Sequence, residues 1–351
     1  MKREHRDPGP KPGGRPDVSV VIVNYNTRDL LESCLKSVFR EAVSVPLEVL
    51  VIDNGSGDGS AEMVRSQFPR VRLTVNESNQ WFVRPNNEGI RMSTGKRVLL
   101  LNSDTEVCPG ALGELVRFLD AHPEAGACGP LLLNTDGSIQ KSVKGFPTLW
   151  THICDMLFLD RLFPRSRLFA RGEMGWFSYD TTAEVDHVMA AAFLVRRKVL
   201  ESVGLMDERF LLYHNDMDWC YRMVKSGCKI YFVATARVVH HQGRTMNIVN
   251  RDLSRFHEQW NNVMLYHQKH HGRWTVAAFK LLLAVGFMFR ALGWLLVRLL
   301  RPSDRARLMS RFSVKTFFLW LSFWKPLPYG PERTSPAGSP VPGNETSGGA
   351  R

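Results

Sequence analysis

An α/β fold around a mostly parallel central sheet is predicted by three features of the sequence. Apolar runs of strand length alternate with helical patterns from residue 18 onward. The runs beginning at Val18 and Leu47 enclose a helical pattern at 29–39, which is the spacing of a βαβ unit. Several runs also stop abruptly at polar residues, as strands do where an open α/β sheet holds its ligand outside their carboxyl ends.

The elements follow in order. Val18–Asn24 reads as a buried strand, and it runs into Tyr25, Asn26 and Thr27 before the helix at 29–39. Two readings of that polar cluster stay open: a binding crevice, or a helix capped by Asn26 or Thr27. The second strand ends at Asp53 in a glycine-rich turn. "SAEMVRSQF" is helical, "VRLTVNE" a third strand, and "NNEGIRMS" a helix start. A buried strand from Lys96 then runs into Asn102, Ser103 and Asp104. A helix at 110–122 precedes the strand "AGACGPLLLNTDGSIQ", whose Asp136-Gly137 is a hairpin signal. Residues 145–180 are rich in Phe, Trp, Leu and Arg without a clear period, and read as a mobile or ligand-facing segment. A strand and helix return in "EVDHVMAAAFLVRRKVLESVG". A loop, a helix and a strand ending at His240-His241 complete the pattern. There is no internal repeat, no GxGxxG and no GxxxxGK[ST], which argues against a dinucleotide fold and a P-loop.

The 351 residues, 44% apolar and 23% charged, have a globular composition. Six scattered cysteines without a CxxC pair suggest neither zinc nor a disulfide framework, and fit a reducing, cytoplasmic setting. Residues 1–17 read as a disordered leader and 326–351 as a disordered tail. Charge is concentrated late in the chain: residues 251–351 carry 15 Lys and Arg against 5 Asp and Glu, +10 of the total +12. Residues 251–325 are expected to be a basic, apolar, amphipathic helical region. The apolar stretch at 274–300 is broken by Lys280, Arg290 and Arg298, so its longest uncharged run is far short of the ~20 residues that span a bilayer. Lying in the interface of an anionic membrane is the expectation, together with the aromatic stretch at 312–324. The competing expectation is that these helices pack on the preceding domain or pair two subunits. So apolar a basic region is not a nucleic-acid surface.

Acidic residues stand where apolar runs stop: Asp53, Asp104, and Asp216 with Asp218. One strand-terminal Asp is ordinarily a turn residue. Several gathered at one sheet edge would repel one another unless something offsets them. A divalent cation and a diphosphate would do so, with His240 as an imidazole ligand.

The ordered motifs "VSVVIVNYN", "VIDNGSGDGS", "NNEGI", "LLLNSDT", "MAAAFLVRR", "MDERFLLYHNDMDWCYR" and "VVHHQG" resemble family 2 glycosyltransferases of the GT-A fold, a Rossmann-like domain that handles nucleotide-diphosphate sugars. They look closest to the bacterial rhamnosyltransferase-like branch that builds cell-surface polysaccharide. The likeness covers roughly residues 17–250, the expected catalytic domain being 18–250. It implies that Asn24, Tyr25 and Asp53 hold the nucleotide, Asp53 reaching the base, and that the matching Asn86 and Asn87 belong to the same binding region. Asn102-Ser103-Asp104 occupies the metal-binding DxD position, with Asp104 as the metal ligand and Asn102 in place of the first Asp. Asp216 matches the general base of Glu-Asp-x-Asp, the Glu being Asn215 here. Another departure surrounds Trp81 and Arg84, where relatives often carry glycines.

What the resemblance implies is inverting transfer of a sugar, best rhamnose from dTDP-rhamnose and otherwise a sugar from a UDP-sugar. The acceptor would be a hydroxyl of a glycan or lipid-linked glycan, with Mg²⁺ or Mn²⁺, at the inner face of the cell membrane. The alternative is a GT-A domain that binds nucleotide sugar or glycan without catalysis, favoured by Asn102 and Asn215.

Overall fold

The structure is a computed structural model that describes residues 14–211, 213–241 and 253–301, with scattered positions from 303 to 314. The leader before residue 14, the tail, and nearly all of the aromatic stretch at 312–324 lie outside the described residues.

The first half is the expected parallel sheet. Strands β1 (Val18–Asn24), β2 (Leu47–Asp53), β3 (Arg72–Val75) and β4 (Arg97–Asn102) pair in the order β3-β2-β1-β4. They are linked by helices α1 (Arg28–Glu41), α2 (Ser60–Gln67) and α3 (Val83–Met92). Branched side chains on β1 are buried on both faces, Val20 and Ile22 towards α1 and α2, Val21 towards α3. That two-sided burial is why the strand reads as a continuous apolar run. Gly89 lets α3 close on β1, since a Cβ there would lie 2.3 Å from Val21 Cγ1.

The second half is mixed, within the mostly parallel sheet that the sequence predicts. After β5 (Thr105–Val107), α4 (Ala111–Ala121) and β6 (Ala125–Leu133) come the short β7 (Val143–Lys144), β8 (Ala183–Val185) and β9 (His187–Val188). Strand β10 (Ala192–Arg196) then enters antiparallel between β4 and β6. It does so because the chain approaches it from the carboxyl edge of β4, so it must run backwards. Helices α7 (Arg197–Val203) and α8 (Asn215–Lys225) lead to β11 (Lys229–His240), parallel to β6 and antiparallel to β5.

Residues 145–180, in which the sequence shows no clear period, contain two helices, α5 (Leu149–Met156) and α6 (Leu159–Leu162). Helix α5 opens with a reciprocal cap in which Thr148 Oγ1 accepts from Thr151 N and Thr151 Oγ1 accepts from Thr148 N. The period is invisible because only Cys154 of α5 is fully buried and α6 buries nothing. Two last helices, α9 (Leu253–His271) and α10 (Arg273–Leu300), pack together and against α5 through Val263, Met264, Phe279, Leu283 and Phe287.

Candidate active site

Register brings the polar strand ends together. Asn24 stands opposite Asp53, Val23 opposite Asn102, and His240 opposite Thr105. Asn102 N also donates to Ala191 O at 2.9 Å, tying the 189–191 segment before β10 to the same edge.

On the β1–β2 side a dense amide and hydroxyl network forms. Asn24 Nδ2 donates to Asp53 Oδ2 at 2.8 Å, and Ser56 N donates to Asp53 Oδ1 at 2.8 Å. Thr27 Oγ1 donates to Asn24 Oδ1 and lies 2.9 Å from Ser103 Oγ. Asn24 and Asp53 are buried, whereas Tyr25 is exposed at the rim. Asn26, at φ 52°, takes a left-handed turn that Asn tolerates, and its Oδ1 accepts from Gly57 N. Neither Asn26 nor Thr27 caps α1 through its side chain. The cluster therefore joins the β1 and β2 turns. Asn86 and Asn87 brace α3: Asn86 Nδ2 donates to Phe82 O, while Asn87 exchanges hydrogen bonds with Met206 N and O.

Between β4 and β5 the buried Asp104 faces His240, with Oδ1 3.3 Å from Nε2. Gln140, which the sequence reading did not single out, lies with Oε1 2.7 Å from His240 Nδ1, while its own Nε2 donates to Asn134 Oδ1. That orientation assigns the proton to Nδ1 and leaves the Nε2 lone pair towards Asp104. Asn102 Nδ2 lies 3.4 Å from the same Nε2. His241 is separate, bound to Glu106. No group of three or more His, Cys, Asp and Glu is placed to hold a metal among the described residues. The chain itself offers two donors, a carboxylate oxygen and an imidazole nitrogen. Neighbouring ligands of one small divalent ion at ~2.1 Å stand about 3 Å apart. The 3.3 Å pair fits such an ion, provided that a diphosphate supplies further oxygens.

On the other side of the 189–191 segment, Asp216 opens α8. Its Oδ2 accepts from Ala190 N at 3.3 Å, its Oδ1 accepts from Met217 N, and His187 Nε2 lies 3.2 Å from Oδ2. Burial alone would raise its pKa, but His187 and the two backbone N–H groups outweigh that and hold it at about 2. Tyr213 and His214 immediately before it both have positive φ, 64° and 58°, a strained approach of a kind concentrated at functional sites. Asp218 differs although it is only two residues on. It is fully buried and bound by Arg222, Lys269 and His270, which anchors α8 to α9. The structure thus brings Asn24, Asp53, Asn102, Asp104 and His240 to one edge, with Asp216 beside it. It adds Gln140 and His187, whose only sequence signal is that each is polar within an apolar or strand-like stretch.

Residues 19–203 match the family model Glycosyl transferase family 2. The chain is 29% identical over 254 residues to the N-acetylglucosaminyl-diphospho-decaprenol L-rhamnosyltransferase of Mycobacterium tuberculosis, covering 64% of this chain and 76% of that one. It is 30% identical over 236 residues to the O-antigen biosynthesis protein RfbC of Myxococcus xanthus, covering 65% of this chain but 18% of that protein. Among solved structures it resembles GalNAc-T7 with UDP, GalNAc and Mn²⁺, with a TM-score of 0.52 at 16% identity over 88% of this chain and 56% of that one. It also resembles S. aureus TarS 1–349 with UDP-GlcNAc, with a TM-score of 0.50 at 15% identity over 87% and 81%. These two likenesses show the GT-A fold.

Proposed function

The chain belongs to glycosyltransferase family 2, in its rhamnosyltransferase-like part, and from that premise we propose that it transfers rhamnose from dTDP-rhamnose to a hydroxyl of a lipid-linked glycan with inversion. The M. tuberculosis relative is named for a diphospho-decaprenol acceptor and an L-rhamnosyl donor group, which supports both choices. RfbC is named for O-antigen synthesis, which supports a cell-surface product.

The observation that carries the reading is the placement of two unlike centres across the 189–191 segment. Asp104 and His240 form one, and Asp216 with His187 the other. In-line displacement needs the leaving group held on one side of the anomeric carbon and the base on the other. The Asn24, Asp53 and Thr27 network is the proposed nucleoside side, with Tyr25 at its rim. Asp104 and His240 would hold Mg²⁺ or Mn²⁺, which when bound offsets charge on the departing diphosphate. Gln140 keeps the His240 lone pair turned inward. Asp216, with a pKa of about 2, is ionised at every working pH and ready to accept. Its weakness as a base is met by the reaction itself, since a hydroxyl that has begun to bond to an anomeric carbon becomes strongly acidic. Two oriented backbone N–H groups and His187 fix the carboxylate, and Oδ1, which accepts from Met217 N alone, keeps a lone pair for the incoming proton.

A thermal-shift panel of nucleoside diphosphates with and without Mn²⁺ tests the donor, because a ligand of the native state alone raises the melting temperature. Transfer from dTDP-rhamnose to a polyprenyl-diphospho-N-acetylglucosamine tests the reaction. Preference for a UDP-sugar in both assays would replace the donor. Binding without any transfer would favour a binding module.

A further inference from the structure

The segment of residues 149–171 leaves several apolar side chains largely open to solvent. Leu157, Phe158, Leu162, Phe163 and Leu168 are all exposed, with Leu162 at 68% and Leu168 at 60%. A soluble surface of this kind calls for a partner. The segment is not an independent flap, because it is docked on α10. Met156 at the end of α5 fills the notch at Gly286, where a Cβ would lie 1.6 Å from its sulfur. Phe158 then lies beneath Arg290, whose guanidinium carbon is 5.6 Å from the ring centroid. Beyond that contact α10 presents its own free apolar face, including Phe289, Leu292, Leu296 and Leu299. Two stretches more than a hundred residues apart in sequence therefore meet, and each carries exposed apolar side chains.

Their charges are predominantly basic. Arg161, Arg165, Arg167 and Arg171 stand among the apolar residues of the first stretch, against Asp155 and Asp160. Helix α10 carries Arg273, Lys280, Arg290 and Arg298 with no acidic residue. Apolar side chains interleaved with arginines match the headgroup layer of an anionic bilayer, where aliphatic groups enter the acyl boundary and guanidinium groups meet phosphate. Helix α10 is by length and composition able to cross a membrane. Crossing would strip Phe279, Leu283 and Phe287 from their packing against α5 and α9, whereas lying in the interface keeps it. We infer that α5, α6 and the following turn form, with the free face of α10, a single surface that seats on anionic phospholipid. The inference rests on the membrane-bound acceptor proposed above and gives that contact a second element. It also explains the seat of the site: α5 carries His152, 3.0 Å from His267 of α9, and α9 holds Asp218 of the helix that Asp216 opens. A bilayer under α5 and α10 would therefore lie beside a helix that is braced, through Asp218, to the helix carrying the proposed base.

The test uses the full chain and vesicles of phosphatidylglycerol and phosphatidylcholine. Leu162→Glu with Leu168→Glu should raise the lipid concentration for half-sedimentation at least tenfold, while nucleotide binding and melting temperature stay unchanged. Val43→Glu, on an exposed turn at the opposite end of the sheet, should bind vesicles like the unmodified chain. Should the double variant melt early, Leu162→Ser alone is read in the same way. If the double variant binds vesicles normally while Leu292→Glu with Leu296→Glu does not, the membrane reading stands and the added surface is wrong. If the unmodified chain ignores anionic vesicles, both fall. If it is a dimer that the double variant converts to monomer, the surface serves a second copy and the inference is overturned.

Discussion

Asp216 and Asp218 share a helix turn and have opposite surroundings, which is why only the first is proposed as a base. Asp218 accepts from His270 and Lys269 and pairs with Arg222, so burial, which would raise its pKa, is outweighed by three basic partners. Its lone pairs are occupied, and a proton acceptor needs a free one. Asp218→Asn should therefore cost about 3 kcal/mol of stability, measured by urea unfolding, because it leaves buried cations without their partner. Its effect on the transfer rate of the folded fraction should be small. Gln140 sets the His240 tautomer without reaching the proposed ion itself. Gln140→Leu should weaken Mn²⁺-dependent nucleotide binding ~10–100-fold, as losses behind a metal ligand do, and calorimetry would show it. Neither Gln140 nor His187 was legible in the sequence. Their roles depend on which strands lie side by side, and single residues carry no trace of that. Asp104, Asp216 and His240 were legible because each stands where an apolar run stops or a motif begins.

At the scale of elements, β1, β2 and β4 follow from apolar periodicity, since their burial on both faces leaves an unmistakable run, whereas the short β5 is hidden behind the polar end of β4. Helices α5 and α6 escaped because α5 is mostly half-buried, with only Cys154 fully buried, and α6 buries nothing, so neither shows an apolar face set off from a polar one. These elements also bring together histidines with an acid-sensitive consequence. His152 of α5, His214 before α8 and His267 of α9 are pushed down by burial to about 3, 4 and 4, with neighbouring histidines adding to the effect on His152 and His267. For His214 the nearby Asp216 partly opposes burial, while Lys144 and His187 reinforce it. A group held neutral in the folded state but protonated near 6.5 when unfolded favours unfolding as pH falls. The destabilisation should begin below pH ~6.5 and reach on the order of 2 kcal/mol per histidine at pH 5. Denaturant midpoints from pH 7.5 to 5 should show it, and His267→Gln should flatten the slope. A midpoint that stays constant over that range would show that these rings are protonated in the native protein.

Across the whole molecule, the proposed nucleotide edge on β1 and β2, the proposed base on α8 and the apolar, basic faces of the segment after β7 and of α10 belong to successive or interleaved parts of the chain. The even charge balance of residues 1–250 and the excess of base in residues 251–351 already separate the two parts to which catalysis and attachment are assigned in the proposal. The junction was not legible, because it is made by Met156 against Gly286 across more than a hundred residues. High salt should weaken vesicle binding without abolishing it, since apolar burial persists when headgroup attraction is screened. The division between leaving-group side and base is tested by one comparison on a single preparation of Asp216→Asn: Mn²⁺-dependent affinity for the donor, and the rate of sugar transfer to a lipid-linked acceptor. The account predicts donor affinity within about twofold of the unmodified chain and transfer lower by ~10²–10⁴-fold, the usual worth of a positioned base. Transfer at the unmodified rate would contradict it.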